Sequence, residues 1–565
     1  MKILGIHYGH DSSACLIIDN EIVCAISEER LTRVKNDSSF PYNAIKFCLS
    51  YASIESEQID VISLPSLSHT LEFEAFFDLS NLFDRKKLPF KQKLKSYLSR
   101  EFIGHGELPL YIEPFKLSSS CRIEYVGHHL SHASSAYFTM EKDSDGPTLI
   151  VTMDGRGEGV SVGIWKGETN TISLLKTFSG EASLGWIYGI ATEGLGWRHG
   201  SDEWKVMGLA PYGKRIKGLF DDFMPKFSGG NLVKPYNYPP FHILKDHGSQ
   251  HWHNPDSFKM SQFLNDVSKE DYAAEIQASV EDSAIELILP WIKKLGTRSF
   301  CCAGGCFLNI KLNQKIWETG LLDEHWIFPD AGDAGLSIGA ALHTNAQRSK
   351  DYKPRAISSM YLGPSFSDEE IECVLRERRL DYRHSKNIPV DTAKLLSKNL
   401  TIGWFQGRME SGPRALGARS ILMSPLDERN KDVVNEKIKF RESFRPFCPS
   451  ILKEHAHRYL NSYRDERYMT TSFTSTDYAQ KTIPAVVHHD KTVRPQIVHK
   501  EQNDLYWQAI NEFGKITDAY AVMNTSFNVK GEPIVCAPRE AVRCLFDTGL
   551  DALVIGSFIV EKNIK

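Results

Sequence analysis

The segments KILGIHYGHDSSACLIIDNEIVCAI (residues 2–26) and TLIVTMDGRGEGVSVGIWKGETNTISLLKTF (residues 148–178) share one pattern. Each predicts a strand, a polar turn containing Gly and Asp, a second strand, a tight turn and a third strand. Two such copies, each opening an α/β half of the chain, favour an internally duplicated fold with a cleft between the halves. Gly and Asp are common in any turn, so two unrelated hairpins are the alternative interpretation.

The length and composition of the chain indicate a folded protein of several domains. A chain of 565 residues is too long for one hydrophobic core. Hydrophobic residues make up 41% and charged residues 24%, and the formal net charge of −4 predicts no nucleic-acid-binding surface. A polar, Pro-containing linker at residues 350–365 predicts a boundary, with domains over residues 1–355 and 356–565.

The apolar segments bear on localisation and redox state. No apolar run reaches the length of a membrane span, and MKILGI predicts a strand rather than a secretory leader. We therefore expect a cytoplasmic protein with no membrane partner. The 11 cysteines lie mostly in apolar segments, which favours reduced core thiols over disulfides. Cys302 and Cys306 could pair on a metal, but no second pair lies nearby at zinc-site spacing, so core packing is favoured.

The stretch VGHHLSHASSAY contains three histidines within five positions. On a helix His128 and His132 share one face, at a spacing that lets two imidazoles bind one metal ion, whereas His129 points elsewhere. Asp154 of the second turn and Asp333 of WIFPDAGDAGL would complete a set of two nitrogen and two oxygen ligands facing the cleft. Such a set suits iron, manganese or zinc, and the ordinary alternative is a polar helix start with carboxylate caps.

A strand-to-helix turn and an irregular segment are candidate ligand-binding regions. FCCAGGCFLNIKLNQKI predicts an apolar strand that enters a helix through Gly304 and Gly305. Paired glycines let the backbone approach a ligand and leave helix amides free for a phosphate or ribose. Residues 215–265 are rich in aromatic, His and Pro residues, which is typical of a surface insertion or of a pocket wall.

Basic side chains cluster in TIGWFQGRMESGPRALGARSIL and EKIKFRESFRPF. Arg and Lys flanked by Gly and Pro, without alternating acids, suit phosphate and carboxylate ligands, and a surface patch without function is the alternative. These basic residues are Arg408, Arg414, Arg419, Lys439, Arg441 and Arg445. The strand-ending stretch MNTSFN adds the polar side chains of Asn524, Ser526 and Asn528.

The motifs quoted above belong to a longer series that runs in order from about residue 2 to 545. The series also includes HDSSACLI, SEERLTRVK, KVMGLAPYG, GDAGLSIGAAL, RPQIV and NTSFNVKGEPIV. The series resembles that of the O-carbamoyltransferases of the NodU/CmcH family. The resemblance implies a large actin-like domain, similar to the universal tRNA threonylcarbamoyl transferase, joined to a smaller YrdC-like α/β domain. It also implies that carbamoyl phosphate is cleaved to carbamate, which reacts with ATP to give carbamoyladenylate, the donor of a carbamoyl group to an alcohol.

The resemblance also implies two sites. In the large domain, Gly304, Gly305 and Asn309 would contact the nucleotide and Lys35 a phosphate, while His10, beside Asp11, would act as general base. The four-ligand set would hold Fe(II), with Mn or Zn as alternatives. The second site, in the carboxy-terminal domain, would form carbamoyladenylate and pyrophosphate from carbamate and Mg²⁺-bound ATP. Its residues would be Arg414, Lys439, Arg441, Arg445, Arg494, Asn524, Ser526 and Asn528.

The acceptor is expected to be a hydroxyl-bearing small molecule of natural product or antibiotic biosynthesis, recognised within residues 215–265. A homodimer is a further expectation. Two other functions are alternatives. A tRNA threonylcarbamoyl transferase-type fusion is disfavoured because the chain lacks a basic stripe for nucleic acid. A non-catalytic nucleotide-binding regulator would not require the second basic site.

Overall fold

The computed structural model describes residues 1–66, 112–142, 146–236, 245–247, 250–252, 255–349 and 352–562. The segment predicted to recognise the acceptor, 215–265, therefore lies partly outside the described residues. Among the described residues, no helix is long and apolar enough to cross a bilayer. All 11 cysteines are unpaired, as the sequence predicted.

The first five-stranded sheet begins with the opening segment of the chain. β1 pairs antiparallel with β2, and β2 with β3, while β4 and β5 extend the sheet parallel to β1. The turn between β2 and β3 is tight, because Asp19 and Asn20 both adopt the left-handed backbone conformation that such hairpins require. The sheet order is β3-β2-β1-β4-β5, with β1 Lys2–His7, β2 Ser13–Ile18, β3 Glu21–Ser27, β4 Val61–Leu64 and β5 Arg122–Tyr125.

The second sheet repeats this topology. Its first three strands form an antiparallel meander and its last two run parallel to the first, in the order β14-β13-β6-β7-β8. The repeated order confirms the predicted internal duplication of actin-like type. The strands of this part of the chain are β6 Thr148–Gly157, β7 Val160–Glu168, β8 Thr171–Ser179, β9 Lys226–Ser228, β10 Asn231–Lys234, β11 Lys245–His247, β12 Gln250–Trp252, β13 Ser299–Ala303 and β14 Glu324–Ile327. β9–β10 and β11–β12 are separate hairpins.

Two helices lie between the two sheets. His128–Phe138 packs on β6 and β13, and Leu336–Arg348 packs on β1, β2 and β4. The helices approach closely at Gly339, where a Cβ atom would lie 2.0 Å from the carbonyl oxygen of Ser131. Within the described residues of this amino-terminal unit, the other α-helices are Glu29–Thr32, Tyr42–Tyr51, Leu184–Gly194, Glu203–Leu209, Pro255–Ser261, Lys269–Leu295 and Ile310–Trp317.

A third, eight-stranded mixed sheet forms the carboxy-terminal unit, with its own hydrophobic core. Its order is β15-β24-β23-β16-β17-β22-β18-β21, and β19 pairs with β20 alongside. The α/β class is thus confirmed for both units. The strands are β15 Arg383–His384, β16 Ile402–Phe405, β17 Arg419–Met423, β18 Cys448–Leu452, β19 Phe473–Thr474, β20 Thr492–Val493, β21 Gln496–Val498, β22 Ala521–Ser526, β23 Ala552–Ile555 and β24 Phe558–Glu561. The helices are Asp368–Glu377, Ile388–Ser397, Asn430–Val434, Ala456–Tyr459, Asp477–Thr482, Asp504–Thr517 and Pro538–Asp547.

The two units are in direct contact. The connecting segment packs on the first unit, where the Ile357 amide donates to the carbonyl of Thr139. The Arg33 guanidinium reaches across and donates to the carbonyls of Pro533 and Ile534. From the carboxy-terminal unit, the Arg408 guanidinium donates a hydrogen bond to the carbonyl of Val23 in the amino-terminal unit. Sites on the two units are therefore held at defined positions relative to each other.

Candidate two-part functional site

Four side chains converge at the ends of the two helices between the sheets. His128 and His132 stand on the first turns of one helix, Asp154 near the end of β6, and Asp333 just before the other helix. One ligand atom from each lies within 4.8 Å of the other three. Both imidazole Nε2 atoms lie 3.2 Å from Oδ2 of Asp154. They lie 3.8 and 3.5 Å from Oδ1 of Asp333, so the structure brings together all four predicted ligands.

This cluster fits a divalent metal ion. Its two imidazole nitrogens and two carboxylate oxygens form a donor set that suits iron, manganese or zinc. Burial lowers the pKa of His128, but the hydrogen bond to Asp154 and the charge of Asp333 raise it to about 9. The proton on this imidazole balances carboxylate charge that a bound cation would otherwise neutralise. Metal binding would therefore release protons.

His129 has a different environment, as the helical spacing predicted. Its Nδ1 lies 2.9 Å from the hydroxyl of Thr152 and its Nε2 lies 3.0 Å from the carbonyl of Val160. Burial and the neighbouring imidazoles lower the pKa of His129 to about 3. His129 is therefore a neutral core residue that joins the helix to the second sheet, and only the other two histidines face the carboxylates.

His10 lies in the turn after β1, next to this cluster. Its Nδ1 lies 3.0 Å from Oδ2 of Asp11, whose other carboxylate oxygen accepts a hydrogen bond from the Asn36 amide. The hydrogen bond to Asp11 is the largest cause that raises the pKa of His10 to about 9. The imidazole is therefore a stronger base than the ordinary histidine assumed from the sequence, and it is mostly protonated at neutral pH.

Two buried ionisable residues of this region had no role in the sequence prediction. His7 ends β1, and its Nε2 lies 2.9 Å from the carbonyl of His10. Burial lowers the pKa of His7, against the charge of Asp333. Burial also raises the pKa of Asp330 to about 7, against the charge of Arg30. The H-x-x-H spacing in IHYGH was the available signal for His7, whereas nothing local marked the burial of Asp330.

The double-glycine turn lies against the same cluster. A Cβ on Gly304, whose φ is 105°, would lie 2.2 Å from the carbonyl oxygen of Met153. A Cβ on Gly305 would lie 3.1 Å from Oδ1 of Asp154. Asn309 caps the next helix, since its side-chain oxygen accepts hydrogen bonds from the amides of Lys311 and Leu312. Glycine at both positions therefore lets this turn approach the proposed metal ligands.

The carboxy-terminal unit places Lys439 at the end of one π-helical turn, Asn435–Lys439. Its ammonium group donates to the Ser526 carbonyl and lies 3.2 Å from the Ser526 hydroxyl. It also lies 3.0 Å from the carbonyl and 2.7 Å from the side-chain oxygen of Asn528. Burial, followed by the charge of Arg441, lowers the pKa of Lys439 well below its usual value. The segments EKIKFRESFRPF and MNTSFN, which the sequence analysis singled out, are therefore in direct contact.

The charges of Arg441 and Arg445 lie close to this lysine, Arg494 lies near Arg441, and Arg414 lies near Arg494. Burial and the charge of Arg494 lower the pKa of Arg414 to about 9. Burial and the charge of Arg445 lower the pKa of Arg441 to about 9. Arg494 donates to the Cys448 sulfur at 2.9 Å. These pKa shifts show that the arginine charges lie close together in a poorly solvated environment.

Trp204 of the amino-terminal unit closes one side of this basic cluster. The Arg445 guanidinium carbon lies 3.6 Å from the centre of the Trp204 ring, and Arg445 pairs with Glu442 at 2.7 Å. The same carboxylate lies 3.8 Å from the ammonium group of Lys205. Sequence reasoning did not assign Trp204 a role, because its contact depends on how the two units are docked.

Other candidates make contacts within the protein. Arg419 is fully buried and donates to the carbonyls of Gln406, Gly407 and Pro364, and Arg408 also bonds main-chain carbonyls. The Asn524 side chain donates to the Ala415 carbonyl and the Ser450 hydroxyl. Lys35 is exposed, and its charge contributes to the lowered pKa of Lys439.

The described part of the segment predicted to bind the acceptor contains two separate hairpins, and β9 of the first hairpin packs on the helix Lys269–Leu295. Phe220, Met224, Phe227 and Tyr236 are buried in the core of the amino-terminal unit. Residues 237–244, 248–249 and 253–254 lie outside the described residues. Acceptor recognition within this segment stays a prediction.

The protein is thus a two-part α/β protein, in which a duplicated unit with a histidine–aspartate cluster is docked on a second unit with buried basic residues. A family model described as the amino terminus of carbamoyltransferases matches residues 2–342, and one described as their carboxy terminus matches residues 393–562. The chain belongs to the carbamoyltransferase family. The resemblance stated from the motifs is therefore confirmed.

Similar proteins cover most of the chain. An uncharacterized protein of Synechocystis sp. is 34% identical over 100% of this chain and 97% of its own. The nodulation protein NolNO of Sinorhizobium fredii is 31% identical over 98% of this chain and 79% of its own. The nodulation protein NolO of Bradyrhizobium diazoefficiens is 34% identical over 78% of this chain and 79% of its own.

Two solved structures are similar to this chain at low TM-scores. HypF of T. kodakarensis has a TM-score of 0.34 and 11% identity, covering 61% of this chain and 47% of that chain. Component A of the Acidaminococcus fermentans (R)-2-hydroxyglutaryl-CoA dehydratase has a TM-score of 0.33 and 14% identity, covering 62% of this chain and 100% of that chain.

Proposed function

We propose that the protein is an O-carbamoyltransferase that uses ATP and carbamoyl phosphate to modify a hydroxyl group of a small-molecule natural product. Residues 356–565 would form carbamoyladenylate, and residues 1–355 would transfer its carbamoyl group. Family membership supports the overall transfer, and the two separate clusters of ionisable residues support the division into two sites.

The observation that carries this proposal is the group of basic residues around Lys439. Within the described part of the chain, no ion pair joins Arg414, Lys439, Arg441 or Arg494 to a carboxylate. Burying cations without counter-ions costs free energy, and a bound anion offsets that cost. ATP and carbamoyl phosphate bring the phosphoryl oxygens that such a site would bind.

Adenylate formation follows from this charge distribution. Water first cleaves carbamoyl phosphate to carbamate and phosphate. A carbamate oxygen then forms a bond to the α-phosphorus of ATP as the bond to the pyrophosphate oxygen breaks. Negative charge increases on the departing pyrophosphate, where Lys439 and the arginines stabilise it. Ser526 and Asn528 would orient the carbamate, since they line the same turn.

Carbamoyl transfer would occur beside His10. The acceptor oxygen bonds to the carbamoyl carbon, the bond from that carbon to AMP breaks, and the hydroxyl proton passes to Nε2 of His10. Asp11 holds Nδ1 and stabilises the resulting imidazolium. A divalent metal held by His128, His132, Asp154 and Asp333 would supply Lewis-acid stabilisation of a phosphate or carbonyl oxygen.

The test is to measure pyrophosphate release from ATP with each candidate co-substrate. Release that depends on carbamoyl phosphate supports the proposal. Release that depends on threonine and bicarbonate would instead identify a threonylcarbamoyl transferase, and absence of release would favour a nucleotide-binding regulator. Mass spectrometry of metabolites from cells with and without the gene would then identify the acceptor by a carbamoyl mass difference.

A further inference from the structure

A lysine of the amino-terminal unit contacts the carboxy-terminal unit near the basic cluster. Lys311 lies in the first turn of the helix Ile310–Trp317. Its ammonium group lies 2.6 Å from Oδ2 of Asp490, 3.0 Å from the Thr492 hydroxyl and 3.1 Å from the side-chain oxygen of Gln314. A lysine ammonium has three donors, so these three acceptors satisfy it completely.

Asp490 and Thr492 belong to the loop that ends at Arg494. Inside this loop, the other Asp490 oxygen accepts from the amide of Thr492 at 3.1 Å and from its hydroxyl at 2.7 Å. Thr492 begins β20, and Arg494 directly follows that strand. The Lys311 contact therefore fixes the loop only two residues before the Arg494 guanidinium enters the basic cluster.

A second contact from the amino-terminal unit reaches the same loop. The His489 ring stacks on Tyr212 of the amino-terminal unit, with ring centres 4.4 Å apart and planes inclined by 12°. The helix that carries Lys311 starts at its cap Asn309, beside the double-glycine turn. One rigid element thus extends from the turn next to Asp154 to the loop that bears Arg494.

We propose that Lys311 is a positioning residue for adenylate formation: through Asp490 it orients the loop that presents Arg494 to a phosphoryl group. This inference rests on the proposed function, because it assumes that Arg494 binds ATP or carbamoyl phosphate. Lys311, a residue of the amino-terminal unit, would thus help to form the carboxy-terminal site. Adenylate formation would therefore depend on how the two units are docked.

The assay is carbamoyl-phosphate-dependent exchange of labelled pyrophosphate into ATP, which needs no acceptor. Lys311→Met removes the charge and keeps most of the side-chain volume. We expect the KM for ATP or carbamoyl phosphate to rise about tenfold with a smaller change in kcat, since the catalytic groups remain present. Lys311→Arg keeps a cation within reach of Asp490 and should restore most of the affinity.

Lys315→Met is the matched control. Lys315 lies one turn further along the same helix and makes an equally short ion pair, 2.6 Å to Asp282, within the amino-terminal unit. Loss of the Lys315–Asp282 ion pair should change the KM for ATP and the KM for carbamoyl phosphate by less than about twofold, as expected for a partly exposed pair. The thermal midpoint of each variant separates a positioning effect from simple loss of stability.

Asp490→Asn provides an isosteric second variant should Lys311→Met fold poorly. If Lys311 acts through Asp490, the double variant should be no worse than either single variant, because the pair shares one interaction. Equal KM values in Lys311→Met and Lys315→Met, with an active wild type, would overturn the inference. Absence of exchange in the wild type would instead remove the proposed function and, with it, this role for Lys311.

Discussion

Replacement of Lys439 by methionine tests the carboxy-terminal site. The side chain is only 4% exposed, and its ammonium group has four oxygen acceptors, from Ser526 and Asn528. Three protons cannot satisfy four acceptors at once, so an incoming phosphoryl oxygen can replace one of them. In a poorly solvated site, losing one preorganised donor costs about 10²–10³-fold in rate, or about 2.7–4 kcal/mol. The nearby arginines remain, so residual activity is expected.

Carbamoyl-phosphate-dependent pyrophosphate exchange into ATP measures this loss directly. Lys437→Met is the matched control, because Lys437 lies in the same π-helical turn but is exposed. Burial disfavours the charge of Lys439, whereas methionine leaves the Ser526 and Asn528 oxygens without this donor, so the thermal midpoint of each variant is measured beside its exchange rate. Equal exchange rates in Lys439→Met and Lys437→Met would refute the assignment of Lys439 to the adenylation site.

Three further predictions concern the amino-terminal unit. His132→Ala should lower bound metal to a small fraction of one equivalent after loading with Fe(II), Mn(II) or Zn(II), measured by elemental analysis, whereas His129→Gln should retain the metal but unfold at a lower temperature. With the pKa of His10 raised to about 9, its base form increases with pH, so carbamoyl transfer should accelerate up to about pH 9, and His10→Asn should lose transfer while keeping pyrophosphate release. The raised pKa of Asp330, about 7, means that the folded state binds the extra proton, so this carboxyl destabilises the fold progressively as pH rises from about 4 to 7. Asp330→Asn should remove that part of the pH dependence of thermal denaturation.

The fold class could be predicted because it depends on local patterns. Alternating apolar segments and the DN turn at Asp19 and Asn20 determine the hairpins that open each half. The four candidate metal ligands could also be predicted, since helical spacing fixes His128 and His132 on one face. Asp154 and Asp333 were predicted as ligands because both halves of the duplicated fold were expected to face one cleft. The repeated sheet order explains why both residues lie at that cleft.

Other features depend on contacts that local sequence does not specify. The sequence predicts an ordinary imidazole pKa for His10, whereas the hydrogen bond to Asp11, with the charges of Asp333 and Asp154, raises this pKa. Arg408 and Arg419 resemble the other arginines of their segment, yet both bond main-chain carbonyls rather than remaining available to a ligand. The contact of Lys311 with Asp490 joins residues far apart in the chain, so it requires the docked arrangement of both units.

In the proposed function, one site makes carbamoyladenylate and a separate site consumes it. Its most direct test is mass spectrometry of the quenched reaction of His10→Asn with ATP, carbamoyl phosphate and metal. We predict accumulation of carbamoyladenylate with release of pyrophosphate. Formation of ADP and phosphate without any carbamoyladenylate, in this variant and in the wild type, would contradict the account.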